Sequence, residues 1–150
     1  MNNITDIQKL LEKLLEMMGF QDINILVSEE QNGVVTFNIN TSDSALLIGR
    51  GGENLIALQY ILYVILVKDV KELPKFSLDV NDYRRDKKSK IEEMAKFAAQ
   101  KVENSGHTEL LMPMTSYERK IVHEIVSQFP NLATQSIGEE PNKRVLIKNK

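Results

Sequence analysis

The stretch Ile48-Gly49-Arg50-Gly51-Gly52-Glu53-Asn54-Leu55 restricts the fold of this chain more than any other. Two glycines three residues apart, with a cation between them, fall where one apolar-periodic segment ends and a second begins. The spacing predicts a tight turn between two helices. Its backbone can come close to another molecule because glycine has no Cβ. The N–H groups that open the second helix also point toward an anion. Taken alone, Gly-x-x-Gly also serves as an ordinary helix connection. A phosphate-binding P-loop is excluded, since Gly52-Glu53-Asn54 does not supply Gly-Lys-Ser/Thr. A dinucleotide fingerprint would need a third glycine at Asn54 and a strand ahead of the turn.

The flanking segments give the turn a context. Thr5 is a plausible N-cap for a helix carrying Ile7, Leu10, Leu11, Leu14, Leu15 and Met18, and Gly19 is a natural stop. Ile23–Glu30 and Val34–Thr41 are rich in β-branched residues and meet across Gln31-Asn32-Gly33, a strong hairpin signal. Ser42 or Asp43 can cap a short helix, Ser44–Ile48, and a long helix runs from about Glu53 to Lys68. Pro74 interrupts, and Phe76–Val80 reads as a third strand. The order over residues 1–80 is helix, strand, strand, helix, helix, strand. The helix after the turn is apolar nearly all round from Leu55 to Val67, which fits a position sandwiched between the sheet and the first helix. A leftover strip that docks another protein is the alternative.

Charge separates the two halves. Residues 1–80 carry 6 Lys and Arg against 11 Asp and Glu, whereas residues 81–150 carry 13 against 10. A boundary near Asn81 follows, with the more basic surface in the second half. The 150 residues suffice for two small domains. With no cysteine, disulfides and thiolate metal sites are excluded. Met1 leads straight into an amphipathic helix pattern, so no secretory signal is expected. No apolar run reaches the length of about 20 residues that a membrane span needs, so a cytoplasmic protein without membrane insertion is expected.

The second half opens with a helix from about Asp82 to Glu103, striped by Ile91, Met94, Ala95, Ala98 and Val102. Leu110–Met112 is a short strand candidate. Thr115 and Glu118 form a capping-box pattern that starts a helix running to Phe129. Leu132–Ile137 and Arg144–Lys148 suggest a closing hairpin around Gly138-Glu139-Glu140-Pro141-Asn142. On the helix 115–129, Arg119 and His123 lie one turn apart on one face with Lys120 and Ser127 on the polar side. Tyr117, Ile121, Val122, Ile125, Val126 and Phe129 are expected as core. An ordinary solvated face is the alternative for the Arg and His pair. Arginine can grip phosphate or stack on a base, and near-neutral histidine can donate to phosphate or sugar. Tyr83, Arg84, Arg85, Lys143 and Arg144 are further candidates for a basic surface, inferred from charge alone. No spacing pairs a nucleophile with a base or gathers metal ligands, so no enzyme, cofactor or metal is expected. A nuclease built on Arg119, His123 and Glu118 or Glu124 is the remaining catalytic option.

The element order with Ile48-Gly49-x-x-Gly52-x-x-Leu55-x-x-Leu58 between its last two helices resembles a type II KH domain. In that family the Gly-x-x-Gly loop clamps the backbone of about four single-stranded nucleotides, and an adjacent apolar groove holds the bases. The resemblance implies RNA-binding roles for Gly49, Arg50, Gly51 and Gly52. Gly51 departs from the pattern, where a second Lys or Arg is often found, which implies weaker phosphate attraction. Asp82–Lys148 resembles an R-three-H domain, named for Arg-x-x-x-His and matched here by Arg119 and His123. That module binds single-stranded nucleic acid, RNA or DNA. The two in succession, with Asp79-Val80-Asn81-Asp82-Tyr83-Arg84 at the junction, resemble the bacterial Jag (SpoIIIJ-associated) proteins across essentially the whole chain. The fold implied is α+β, two small α/β sandwich-like domains over 1–80 and 81–150. The resemblance further implies a post-transcriptional regulator linked to cell division or envelope growth, partnered by a small KH-only protein or a second copy. Members usually carry a further N-terminal domain and a linker that this sequence lacks, so a fragment or short variant is expected.

Overall fold

A computed structural model describes residues 4–29, 32–69 and 72–150. Two compact units emerge, Met1–Arg84 and Arg85–Lys150. The first contains α1 (Ile4–Met17), β1 (Ile23–Glu29), β2 (Val35–Thr41), α2 (Ser44–Ile48), α3 (Glu53–Asp69) and β3 (Phe76–Val80). This is the expected αββααβ order. Residues 30 and 31 of the hairpin connection lie outside the described residues. Thr5 falls inside α1 rather than at its cap, because the helix already includes Ile4. At the other end Phe20 N–H reaches Leu15 O and Gly19 N–H reaches Glu16 O, with Gly19 at φ +96°. That left-handed residue and bond pair terminate the helix as its sequence anticipates.

In the first sheet β1 pairs antiparallel with β2, and β2 pairs parallel with β3. Period-2 alternation turns Val35, Phe37 and Ile39 into the core, where they meet Ile7, Leu11 and Leu15 of α1 and Leu55, Leu58, Leu62 and Leu66 of α3. The α3 leucines recur at three and four residues, so α3 buries one stripe only. Of its other apolar residues, Ile56, Tyr60, Ile61, Tyr63, Val64 and Val67 are exposed, and Ile65 is half-buried. The expected sandwiching of this helix is therefore wrong. The sheet and α1 cover one side of α3, and among the described residues of this unit nothing covers the other.

After β3 the backbone passes through two consecutive left-handed residues, Asn81 (φ +47°) and Asp82 (φ +57°). Asn and Asp tolerate this conformation best among residues with a Cβ. Side chains fix it here. Asn81 exchanges two bonds with the Thr41 backbone, and Asn38 Nδ2 donates to Asp82 Oδ1 at 2.6 Å. The buried Asp79 carboxylate accepts from the N–H groups of Val80 and Arg84 as the next helix begins.

The second sheet has the order β4-β6-β5, all antiparallel, from β4 (Glu109–Leu110), β5 (Leu132–Ile137) and β6 (Arg144–Asn149). Ala95, Ala98, Ala99 and Val102 of α4 (Tyr83–Ser105) pack with Val122 and Val126 of α5 (Ser116–Val126) and with Val145 and Ile147. Small alanines let α4 lie close to its neighbours. Tyr117, expected as core, is 63% exposed because it sits in the first turn of α5, ahead of the residues that face the sheet.

Candidate nucleic-acid interface

The glycine turn is built as a closed clasp with an exposed tip. Gly49 N–H ends α2 on Ala45 O, and Gly49 itself adopts φ +70°, ψ −174°, a region essentially restricted to glycine. A Cβ there would lie 2.5 Å from Asn54 Cγ. The Asn54 side chain occupies that space and donates to Leu46 O at 2.8 Å, tying α3 back to α2. At Gly52 (φ +97°) a Cβ would come within 3.2 Å of the Tyr83 ring. Around Gly51 (φ +64°) the space is open. Two of the three glycines thus serve the internal packing of the turn. Gly51 and the exposed Arg50 form its outward tip, in a 3-10 turn, Arg50–Gly52, that leads into α3. Asn54 was missed by the sequence reading as a partner. Tyr83, grouped there with the basic surface, is half-buried against the turn.

Beside the turn, α3 and β3 bound a groove of about 720 Å³ lined by residues including Ile56, Gln59, Tyr60, Tyr63, Lys75 and Phe76. Val35 N–H donates to Lys75 O, which fixes the parallel register and turns the peptide groups of Phe76 and Leu78 to the outer edge of β3. Leu78 is already satisfied there. Its N–H donates to Gln59 Oε1 at 3.0 Å, and its carbonyl accepts from Arg84 Nε at 3.1 Å. Arg84 Nη2 also donates to Gln59 Oε1. Arg84, expected on a basic surface, is exposed and also stitches the sheet edge.

In the second unit the capping box forms as its sequence anticipates. Thr115 N–H donates to Glu118 Oε2 at 2.7 Å, and Glu118 N–H donates to Thr115 Oγ1. Lys87 Nζ of α4 adds a 2.8 Å ion pair to the same carboxylate. Burial works to raise the Glu118 carboxyl, but the Lys87 ammonium and the Thr115 bonds outweigh it and hold the group below its ordinary value.

Arg119 and His123 do share one face of α5, and that face is not solvated. Arg119 is 8% exposed, with Nη1 donating to Met114 O at 2.9 Å and Nη2 paired to Glu140 at 2.8 Å. Met114 N–H in turn donates to Lys143 O at 3.1 Å. Met114 therefore ties the N-terminal side of α5 to the start of β6 with both of its peptide groups. The His123 ring bridges to β5, with Nδ1 2.6 Å from Thr134 Oγ1 and Nε2 3.0 Å from Ser136 Oγ. Burial, and secondarily the Arg119 charge, lowers its pKa from the ordinary value, so it is neutral at pH 7. A neutral ring donates through one nitrogen and accepts through the other, and hydroxyls can serve both. Thr134 and Ser136 are two apart on a strand and so share a face, a period-2 signal present in the sequence but not used. Glu140 lies in an irregular turn that gave no such signal.

The remaining candidates are less gathered. Lys120 is exposed and 3.8 Å from Glu124, and Arg85 is exposed and 3.6 Å from Asp86. Lys143 and Arg144 are half-buried at the start of β6, with Arg144 opposite Ile137 in the ladder. Both nitrogens of His123 meet hydroxyls, and Glu118 is engaged in the cap. Among the described residues, no group of three or more His, Cys, Asp or Glu could hold a metal ion, and no helix is long and apolar enough to cross a membrane.

Two family models match the chain, that of the KhpA/KhpB KH domain over residues 7–80 and that of the R-three-H domain over residues 89–149. The chain belongs to the Jag, or KhpB, family. Relatives named RNA-binding protein KhpB come from Clostridium symbiosum, 32% identical over 91% of this chain, and Bacillus subtilis, 30% identical over 88%. Another, from Lactiplantibacillus plantarum, is 31% identical over 77%. The chain spans 62%, 63% and 36% of the lengths of these three Jag-family proteins, in that order. The family joins a KH domain to an R-three-H domain, and the glycine turn lies within the first match and Arg119 and His123 within the second.

Proposed function

We propose that this chain is a single-stranded RNA-binding protein that engages RNA with both parts, residues 1–80 and 81–150. The observation that carries this reading is the tip of the glycine turn. Arg50 is displayed to solvent at the start of a helix, on a backbone with left-handed glycines, immediately beside an apolar groove. Phosphates would lie against Gly49, Arg50, Gly51 and Gly52, where cation and helix N-terminus act together. Bases would enter the groove along Ile56, Tyr60 and Phe76. In the second part Arg119, His123, Lys120, Arg85, Lys143 and Arg144 supply the cationic and hydrogen-bonding surface, while Arg84 shapes the groove edge of the first. A cytoplasmic post-transcriptional role, linked to cell division or envelope growth, is carried over from the family resemblance.

The test is a fluorescence-anisotropy titration with a pool of cellular RNAs, comparing wild type with the double change Arg50→Asp, Gly51→Asp. Two carboxylates against the phosphates should weaken binding by tenfold or more, roughly 1.4 kcal/mol. Unchanged affinity would show that the loop does not clamp RNA.

A second reading is favoured by the exposed side of α3. Ile56, Tyr60, Ile61, Tyr63, Val64 and Val67 make an apolar surface of the kind that docks a protein, here a KH-only partner or a second copy. Charged substitutions at Ile61 and Val64 would then abolish partner capture while the loop double change leaves it intact.

A further inference from the structure

The ion pair between Arg119 and Glu140 is lopsided. The arginine side chain is 9% exposed and the glutamate side chain 60%. Nη1 is fixed on the Met114 carbonyl, so the carboxylate closes the outer side of the guanidinium at Nη2. A carboxylate and a phosphate present the same pair of oxygens to a guanidinium edge. The anion at the mouth of this site is therefore a piece of the protein itself.

We infer that Glu140 is the specificity-determining residue of the second site. Its carboxylate stands where a nucleic-acid phosphate is to be received, and RNA reaches Arg119 by displacing it. This rests on the RNA-binding reading above. The turn that carries Glu140 is suited to the exchange. Asn142 N–H donates to Glu139 O at 2.8 Å, and at Gly138 (φ +85°) a Cβ would sit 3.4 Å from Asn142 O. The turn is closed by its own backbone, independently of the ion pair, and the exposed glutamate can swing into water while the turn persists. Displacement then costs the pair but not the hairpin. A weak or lone anion fails to displace the carboxylate. A strand that also engages Lys143, Arg144 or Lys120 can, because its neighbouring phosphates add to the attraction.

The experiment compares wild type, Glu140→Gln and Glu139→Gln by anisotropy with a labelled twelve-nucleotide single-stranded RNA pool. Glu139 is the control, being exposed, adjacent and of the same charge. Removing the competitor should tighten binding roughly three- to tenfold for Glu140→Gln, against less than about twofold for Glu139→Gln. Equal gains at both positions, or weaker binding by Glu140→Gln, would overturn the inference while leaving RNA binding intact. No binding by any of the three proteins would remove the RNA reading and the inference together. Wild-type protein provides a second readout that needs no variant. The Arg119 side-chain Nε–H resonance should shift when RNA is added, and a resonance that stays fixed with RNA bound contradicts the exchange.

Discussion

The two arginines at the centre of this molecule are held in opposite ways. Arg50 stands in water on a glycine turn whose shape is set by backbone conformation and by the packing of Asn54 and Tyr83. Arg119 is buried, fixed by a main-chain carbonyl and closed by an internal carboxylate. A displayed cation contributes to binding and almost nothing to folding, whereas a buried, paired one contributes to both. The motif with the stronger glycine signature is therefore the separable one. The Arg-x-x-x-His motif doubles as a staple, with Arg119 holding the Met114 carbonyl and His123 holding β5 to α5.

The sharpest way to break this contrast lies inside the turn. Gly49→Ala places a methyl group on Asn54 in a glycine-only conformation and should cost about 3 kcal/mol in urea denaturation. Gly51→Ala meets open space and bears only the left-handed strain, about 1 kcal/mol. Equal losses would mean that the clasp does not set the turn.

Next comes the arginine pair itself. Arg119→Ala leaves the Met114 carbonyl without its donor and should destabilise by about 2 kcal/mol. Arg50→Ala should stay within about 0.5 kcal/mol of wild type. A stable Arg119→Ala protein would refute the staple.

A smaller effect is expected from pH. The folded-state pKa of His123 is depressed, so between that value and the ordinary 6.5 the unfolded chain binds more protons than the folded one. Stability from this source is complete above pH 6.5 and is lost as pH falls through the depressed value. Melting temperatures of wild type should fall more between pH 7.5 and 5.5 than those of His123→Gln. Identical slopes would remove the histidine from the account.

The smallest change adds a charge. Gly51→Lys restores a second loop cation in the open space at that position. It should steepen the dependence of log K on log salt by about 0.7, one extra single-strand phosphate contact. An unaltered slope would place the loop tip away from the phosphates.

Element order, the Gly19 stop and the capping box at Thr115 were legible because each is a local signal with one physical cause. What was not legible depends on which neighbour covers a face. Periodicity put Arg119 and His123 on one side of α5 but could not say that the closing hairpin lies over that side. It made Leu55–Val67 apolar all round without revealing that the sheet and α1 cover only the leucine stripe. Arg84 was legible as a surface cation but not as the partner of Leu78 O, because no local pattern marks that carbonyl as lying on an open sheet edge. Glu140 was one of two adjacent acids in a turn, and only the folded chain distinguishes them.

The central claim is that RNA lies on the glycine turn and its groove and on the Arg119 region as well. Ultraviolet crosslinking of the chain to RNA in cells, with the crosslinked peptides mapped by mass spectrometry, tests it most directly. The account predicts crosslinks in two clusters, one around residues 49–63 with Phe76 and one within residues 117–144. Recovery of no RNA above a non-binding control, or crosslinks confined to sites outside both clusters, would contradict it.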